Sequence, residues 1–228
     1  KNMPKLCESA IEKMAIEELV ELGYTYLSGP DIAPDALLAE RNSYGEVLLK
    51  KRLTDAVVRL NPALPYDVVL EAVNKVSRIS SSNLIADNET FHKMLVDGVP
   101  VEYRKNGEIV GDYVRLVDFS EEGTDNNEFL VVNQFTVIEN NNNKRPDILL
   151  FINGIPMVLF ELKNPADENA TIRKAYDQIC TYKATIPSLF TYNEICVISD
   201  GLETKAGSLT APFSRFSTWK TKDGLNEA

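Results

Sequence analysis

Three residues near the middle of the chain have the types and spacing for hydrolytic chemistry. Asp147 follows Pro146, and fourteen positions later Glu161 opens the triplet Glu161-Leu162-Lys163. Alternate side chains of a β-strand share a face, so Glu161 and Lys163 stand on one wall about 6.6 Å apart while Leu162 points to the other. The first acid heads an apolar run, Asp147 to Ile152, and the second closes another, Met157 to Leu162, with the hairpin signal Asn153-Gly154 between them. The structural alternative is a plain strand start and a solvated ion pair at a strand end. The apolar character of both strands weighs against it, because it places the charges at the open end of a buried sheet, where binding sites commonly lie.

Whether the acids meet depends on the turn. A strict two-residue loop pairs Ile152 with Ile155 and Asp147 with Phe160, which sends the acids to opposite faces. A three-residue loop with Gly154 as the left-handed residue of a bulge pairs Phe151 with Ile155 and Asp147 with Leu159, so that Asp147 shares a face with Glu161. The bulged register is expected. Two converging carboxylates must share a proton or a cation. Oxygen ligands favour Mg²⁺, with Mn²⁺ as a substitute, and the single histidine, His92, cannot alone build a zinc site of the usual kind. Such an ion can polarise a phosphoryl oxygen and activate water, with Lys163 positioning that water or stabilising charge, which is phosphodiester hydrolysis.

The elements that would position these groups can be read along the chain. Glu8 to Leu22 repeats apolar residues at helical spacing and stops at Gly23, with its apolar centre between Leu19 and Leu22 and with Glu8 and Glu12 near that face. An acid there either complements the helix dipole or serves a site. Helices are expected from Ala36 or Tyr44 to Leu60, from Tyr66 to Ile79 and from Thr90 to Val96. Strands follow over Val99–Tyr103, Ile109–Phe119 and Phe129–Ile138, with Asn140 to Asn143 as a solvated loop. After the acid-bearing hairpin come a helix from about Thr171 to Ala184 and a last buried strand, Ile195–Ser199. On that helix Gln178 and Tyr182 are four apart and share a face, a pairing that more often reflects ordinary surface and partial core. The expected architecture is one α/β unit over 1–228: a mixed sheet flanked by helices, a helical insertion at about 35–97, a sheet core at about 99–200, and 201–228 leading toward a following domain.

Composition bounds the function. The net charge is −10 and the sequence pI about 4.8, which argues against autonomous tight binding of phosphate backbones. It is compatible with a small concave site that engages one metal-neutralised phosphate while other domains hold the DNA. There is no apolar run of membrane-spanning length, no signal-peptide pattern and no phosphate-binding GxxxxGK[ST] loop, so a cytoplasmic protein without its own ATPase is expected. Cys7, Cys180 and Cys196 form no CxxC pair and are expected to be reduced core residues.

Several stretches together resemble the R subunit family of type I restriction-modification enzymes: Arg145-Pro146-Asp147-Ile148, Phe151 to Pro156, and Glu161-Leu162-Lys163-Asn164-Pro165. The likeness extends back through Asn133-Gln134-Phe135-Thr136-Val137 and Val117-Asp118-Phe119 to Leu60-Asn61-Pro62 and Gly23-Tyr24. Forward, it takes in Gln178 to Tyr182, Ser199-Asp200-Gly201, Arg215-Phe216 and Trp219. The resemblance implies a restriction-endonuclease-like PD-(D/E)xK nuclease, with Asp147 and Glu161 as Mg²⁺ ligands and Lys163 as the catalytic lysine. It implies that Gln178 and Tyr182 contact the active site or DNA. It also favours Glu12, eleven positions before Gly23, over Glu8 as the first-helix acid. Double-stranded DNA as substrate, modification and specificity subunits as partners, and ATP used only by motor domains beyond this sequence are further implications. An inactive docking or DNA-binding module of the same fold and a related repair nuclease are the alternatives; the intact triplet argues against the first.

Overall fold

The computed structural model describes residues 8–121, 123–164 and 171–219. Cys7, Pro165 and the tail from residue 220 lie outside them, as does the side chain of Glu8. In chain order the first elements are α1 (Glu8–Glu21), β1 (Thr25–Ser28), α2 (Lys50–Leu60), α3 (Tyr66–Ser77), α4 (Leu84–Asp97), β2 (Val99–Lys105) and β3 (Glu108–Val114). The short α5 (Gly123–Asn126), β4 (Phe129–Asn133), β5 (Val137–Glu139), β6 (Asn142–Lys144), β7 (Ile148–Ile152) and β8 (Ile155–Leu162) follow. The last are α6 (Ile172–Thr185), the one-turn α7 (Pro187–Phe190), β9 (Ile195–Ser199), β10 (Thr204–Gly207) and β11 (Ser217–Thr218).

Seven strands make a mixed sheet in the order β1-β4-β7-β8-β9-β10-β11, with β1–β4 and β8–β9 parallel and the other neighbours antiparallel. On one face α1 packs Ile11 against Val131, Ile148, Leu150 and Leu162. On the other, Leu149, Phe151, Leu159 and Ile198 join one core with Leu53 and Phe91 of the helical insertion and Ile179 of α6. Both faces of the central strands are covered, which is why they read as continuous apolar runs rather than as alternating ones.

Several expected boundaries move, each for a local reason. The sheet continues past residue 200 through β10 and β11 and begins earlier, at β1. The helix α2 starts at Lys50, not at Ala36 or Tyr44, because the buried Arg41 organises the preceding segment. Its guanidinium donates to the carbonyls of Tyr44, Glu46 and Thr136, so that side chain takes up backbone acceptors a helix would have used. The helix α4 starts at Leu84 rather than Thr90, capped by the Asn83 side chain, which accepts from the N–H groups of Ile85 and Ala86. The strand expected over Ile109–Phe119 stops at Val114. The one expected over Phe129–Ile138 is split at Gln134, whose φ is +54°. Asn140 and Asn141, with φ of 48° and 64°, form the two-residue turn of the β5–β6 hairpin, so this part of the asparagine run is a turn rather than a solvated loop. Leu22, expected near the centre of the apolar face of the first helix, is 78% exposed. Cys180 is exposed, against the expectation of a core position; Cys196 is buried, and both are free.

The turn of the β7–β8 hairpin is fastened from two sides. Asn153 is fully buried, accepts from Glu128 N–H at 2.8 Å and donates to Leu116 C=O at 3.0 Å. Gly154 C=O accepts from Leu49 N–H at 2.9 Å, so the turn meets the start of α2. A Cβ on Gly154 would lie 2.6 Å from Leu49 O and 2.8 Å from Leu53 N, at a φ of +79°. Gly107 has a similar φ of +88° with nothing within 4 Å of a Cβ. Gly154→Ala should therefore cost more than the ~1–2 kcal/mol backbone penalty that Gly107→Ala pays alone. Urea denaturation of the two variants checks this; equal midpoints would mean that the turn yields at no cost.

Candidate active site

The hairpin that carries both acids reaches their meeting by a different route from the one expected. Ile152 pairs with Ile155, so the turn is the strict two-residue form, with Asn153 and Gly154 left-handed at φ of 53° and 79°. The bulge lies further along: Phe151 pairs with Pro156 but Leu150 pairs with Val158, which leaves Met157 as the extra residue. Pro156 has no N–H to give the ladder, and prolines inside sheets belong at such irregularities. The shift carries Ile148 opposite Phe160. One step further along the same register sets Asp147 across from Glu161, on the face that α6 covers.

Both acids are buried, Asp147 to 8% exposure and Glu161 to 2%. Asp147 Oδ2 accepts from Leu162 N–H at 2.7 Å, and its carbonyl accepts from Gln134 N–H at 3.0 Å. Lys163 Nζ donates to Glu161 Oε1 at 2.7 Å, while Lys163 N–H donates to Ser199 C=O at 2.8 Å. Glu161 Oε2 is buried with no hydrogen-bond partner among the described residues. Burial first, and the neighbouring Asp147 second, push the Glu161 carboxyl up to about 7 against the opposing pull of Lys163. The Tyr182 hydroxyl is near enough to weigh on that ionisation without closing a hydrogen bond of ordinary geometry to Oε2. Burial, with the charges of Glu161 and Asp147, raises the phenol in turn; Gln178, one turn back on α6, opposes that rise.

Glu12 comes from the other side of the sheet. Its Oε1 accepts from Asn133 Nδ2 at 2.6 Å and its Oε2 from Gln134 Nε2 at 2.9 Å, so it is tied to the turn after β4 whose next bond reaches Asp147. The structure thus brings Asp147, Glu161, Lys163 and Tyr182 together, with Gln178 beside them and Glu12 linked through Gln134. Asn133, Gln134 and the Ser199 carbonyl are not among the site residues predicted from the sequence. Their signal was positional: Asn133-Gln134 and Ser199 follow or end apolar strands at the same open end of the sheet.

The donor set can be tested against an ion. No group of three or more His, Cys, Asp or Glu side chains close enough to hold a metal occurs among the described residues. The site offers two carboxylates, one with a buried oxygen that is unsatisfied among the described residues. That suits Mg²⁺, which keeps several waters and needs one or two carboxylates, and does not suit zinc. Among the described residues no helix is long and apolar enough to cross a membrane.

Comparison with known proteins places this geometry in context. The profile described as "Type I restriction enzyme R protein N terminus" matches residues 5–215. The type I restriction enzyme HindI endonuclease subunit of Haemophilus influenzae is 42% identical over 224 residues, covering 98% of this chain and 21% of that protein. The putative type I restriction enzyme MjaIXP endonuclease subunit of Methanocaldococcus jannaschii is 40% identical over 224 residues, covering 96% and 21%. A Staphylococcus aureus type I restriction enzyme endonuclease subunit, SauCOLORF180P, is 38% identical over 80 residues. The chain spans about a fifth of the length of the first two relatives.

The raised Glu161 carboxyl has a stability consequence. Folding holds its proton up to about 7, whereas the unfolded chain releases it near 4.5. The cost of the charge is therefore absent below the lower value, grows between the two and is complete above about 7. In chelating buffer, Glu161→Gln should stabilise the fold by ~1–3 kcal/mol at pH 8, a gain that vanishes near pH 4. Denaturation across that pH range would sink this account if the gain were independent of pH.

Proposed function

The chain belongs to the family of type I restriction enzyme R protein N termini, and from that membership we propose that it is a divalent-cation-dependent DNA endonuclease domain of the PD-(D/E)xK class. The observation that carries the proposal is the pair of buried acids, Asp147 and Glu161, beside Lys163, with Glu161 Oε2 lacking a hydrogen-bond partner among the described residues. Two buried acids facing one another are costly unless a proton or a cation offsets them.

Asp147 and Glu161 would hold Mg²⁺ or Mn²⁺. When bound, the ion supplies polarisation of a phosphoryl oxygen and a more acidic water. Leu162 N–H fixes the Asp147 carboxylate, and Lys163, anchored through its own N–H to Ser199, keeps an ammonium at the carboxylate wall. From there Lys163 can orient the attacking water and offset the charge that grows on the phosphate. Tyr182, held protonated by its surroundings, is a donor toward the same wall, and Gln178 orients it. Glu12 adds a fixed carboxylate at the edge of the site.

The substrate is double-stranded DNA. With a net charge of −10 the chain is ill suited to hold a phosphate backbone by itself, so the rest of a longer subunit and its modification and specificity partners would deliver the strand. No phosphate-binding GxxxxGK[ST] loop occurs in this sequence, so ATP use would belong to motor domains elsewhere in that subunit. Cleavage would follow translocation rather than bases read here.

The experiment is reconstitution of the full endonuclease subunit with its partners, wild type against Lys163→Ala. Cleavage should fall by at least ~100-fold, the loss typical of removing a positioned charge at a reacting phosphate, with ATP hydrolysis retained. Wild-type cleavage by the variant would rule out this site as the one that cuts.

A further inference from the structure

Gln134 stands in a backbone conformation that its side chain disfavours. Its φ is +54°, and the other left-handed non-glycine residues among those described, Asn106, Asn140, Asn141 and Asn153, are all asparagines. Asparagine tolerates this region through local hydrogen bonding, whereas a longer side chain there stores strain of ~1–3 kcal/mol unless its surroundings impose it. They do impose it. Gly29 packs so closely that a Cβ would lie 2.5 Å from Asn133 O and 2.6 Å from Gln134 O. Asp147 C=O takes the Gln134 N–H, and the Arg41 guanidinium lies 3.7 Å above the Phe135 ring while donating to Thr136 C=O at 2.6 Å.

What glutamine offers over asparagine is one methylene of reach, and that reach ends on Glu12 Oε2 at 2.9 Å. Asn133 holds the other oxygen of the same carboxylate and is itself steadied by Tyr26, whose hydroxyl donates to Asn133 Oδ1 at 3.0 Å. One residue therefore hydrogen-bonds the α1 carboxylate with its side chain and the Asp147 carbonyl with its backbone. We infer that Gln134 is a positioning residue, strained in order to fix the Glu12 carboxylate against the strand end that carries Asp147. With each oxygen of Glu12 accepting one amide, the carboxylate is oriented, and its remaining lone pairs could order water between it and a cation that Asp147 and Glu161 would hold. The inference rests on the cleavage reading above.

The test is Gln134→Asn in the full endonuclease subunit, reconstituted with its partners, beside Lys163→Ala and Glu12→Ala. Asparagine suits the backbone but falls short of Glu12, so thermal stability should hold or rise and ATP hydrolysis should stay unchanged. Cleavage should fall by ~10–100-fold, and binding of Mn²⁺ alone, followed by electron paramagnetic resonance, should weaken by about tenfold, as expected for loss of an outer partner of a metal site. In a Glu12→Ala background Gln134→Asn should add no further loss, since both act through one contact. Wild-type cleavage and Mn²⁺ affinity in Gln134→Asn, with Lys163→Ala inactive, would overturn this inference and leave the cleavage reading standing. A less stable Gln134→Asn subunit, or losses that multiply with Glu12→Ala, would also overturn it. Normal cleavage by Lys163→Ala would remove both.

Discussion

The structure turns on two carboxylates that cannot be comfortable where they are. Asp147 and Glu161 face each other across neighbouring strands, nearly excluded from water, and one oxygen of Glu161 has no partner among the described residues. In a medium of low effective dielectric, like charges at this spacing raise one another's proton affinity, and only part of that cost is offset by the Lys163 ammonium and the Leu162 N–H. A fold that tolerates such a pair must hold it rigidly, since a loose hairpin would let the acids separate or reach solvent. The remaining architecture follows from that requirement.

Rigidity comes from the far end of the hairpin. The turn at Asn153-Gly154 lies about 20 Å along β7 from Asp147, at a rise of ~3.3 Å per residue. It is locked there by the start of α2 and by the buried Asn153 side chain. Arg52 of α2 extends the same clamp, bridging Glu40 and Glu128. The helical insertion is thus remote from the acids yet mechanically joined to them, because a β-ladder transmits register along its whole length and a slip of one residue would turn the acids apart. The bulge at Met157 sets that register, and its cause is the missing N–H of Pro156.

This is also where the sequence was legible and where it was not. The acids, the lysine and the hairpin could be read from residue types and two-fold spacing, since alternation on a strand is a local property. Gln178 and Tyr182 could be paired because helical spacing is local too. The bulge was expected at the Asn153-Gly154 turn when the signal that located it was the proline two residues on. Gln134 read as the interior of a strand, because nothing in Asn133-Gln134-Phe135 reveals a positive φ imposed by Gly29, Arg41 and Asp147, residues brought there from distant parts of the chain. The short strands β1, β10 and β11 are not legible in the sequence for the same reason: two to four residues carry too little pattern, and their pairing partners supply the order.

The acidic character of the chain acquires a meaning once the site is placed. A surface of net charge −10 opposes the approach of any polyanion, so a phosphate would reach the open end of the sheet only where a cation offsets the local acids or where another body presses the strand into place. If the chain is the nuclease proposed above, this property would keep it from cutting before delivery. A strongly basic domain would hold DNA wherever it met it, because backbone affinity carries no sequence information. On the proposed reading, an acidic chain with one pair of buried carboxylates would make cleavage conditional on both metal and delivery. On the same reading, discrimination would reside in whatever positions the strand, and this chain would need only to keep its two buried carboxylates and its lysine in a fixed arrangement.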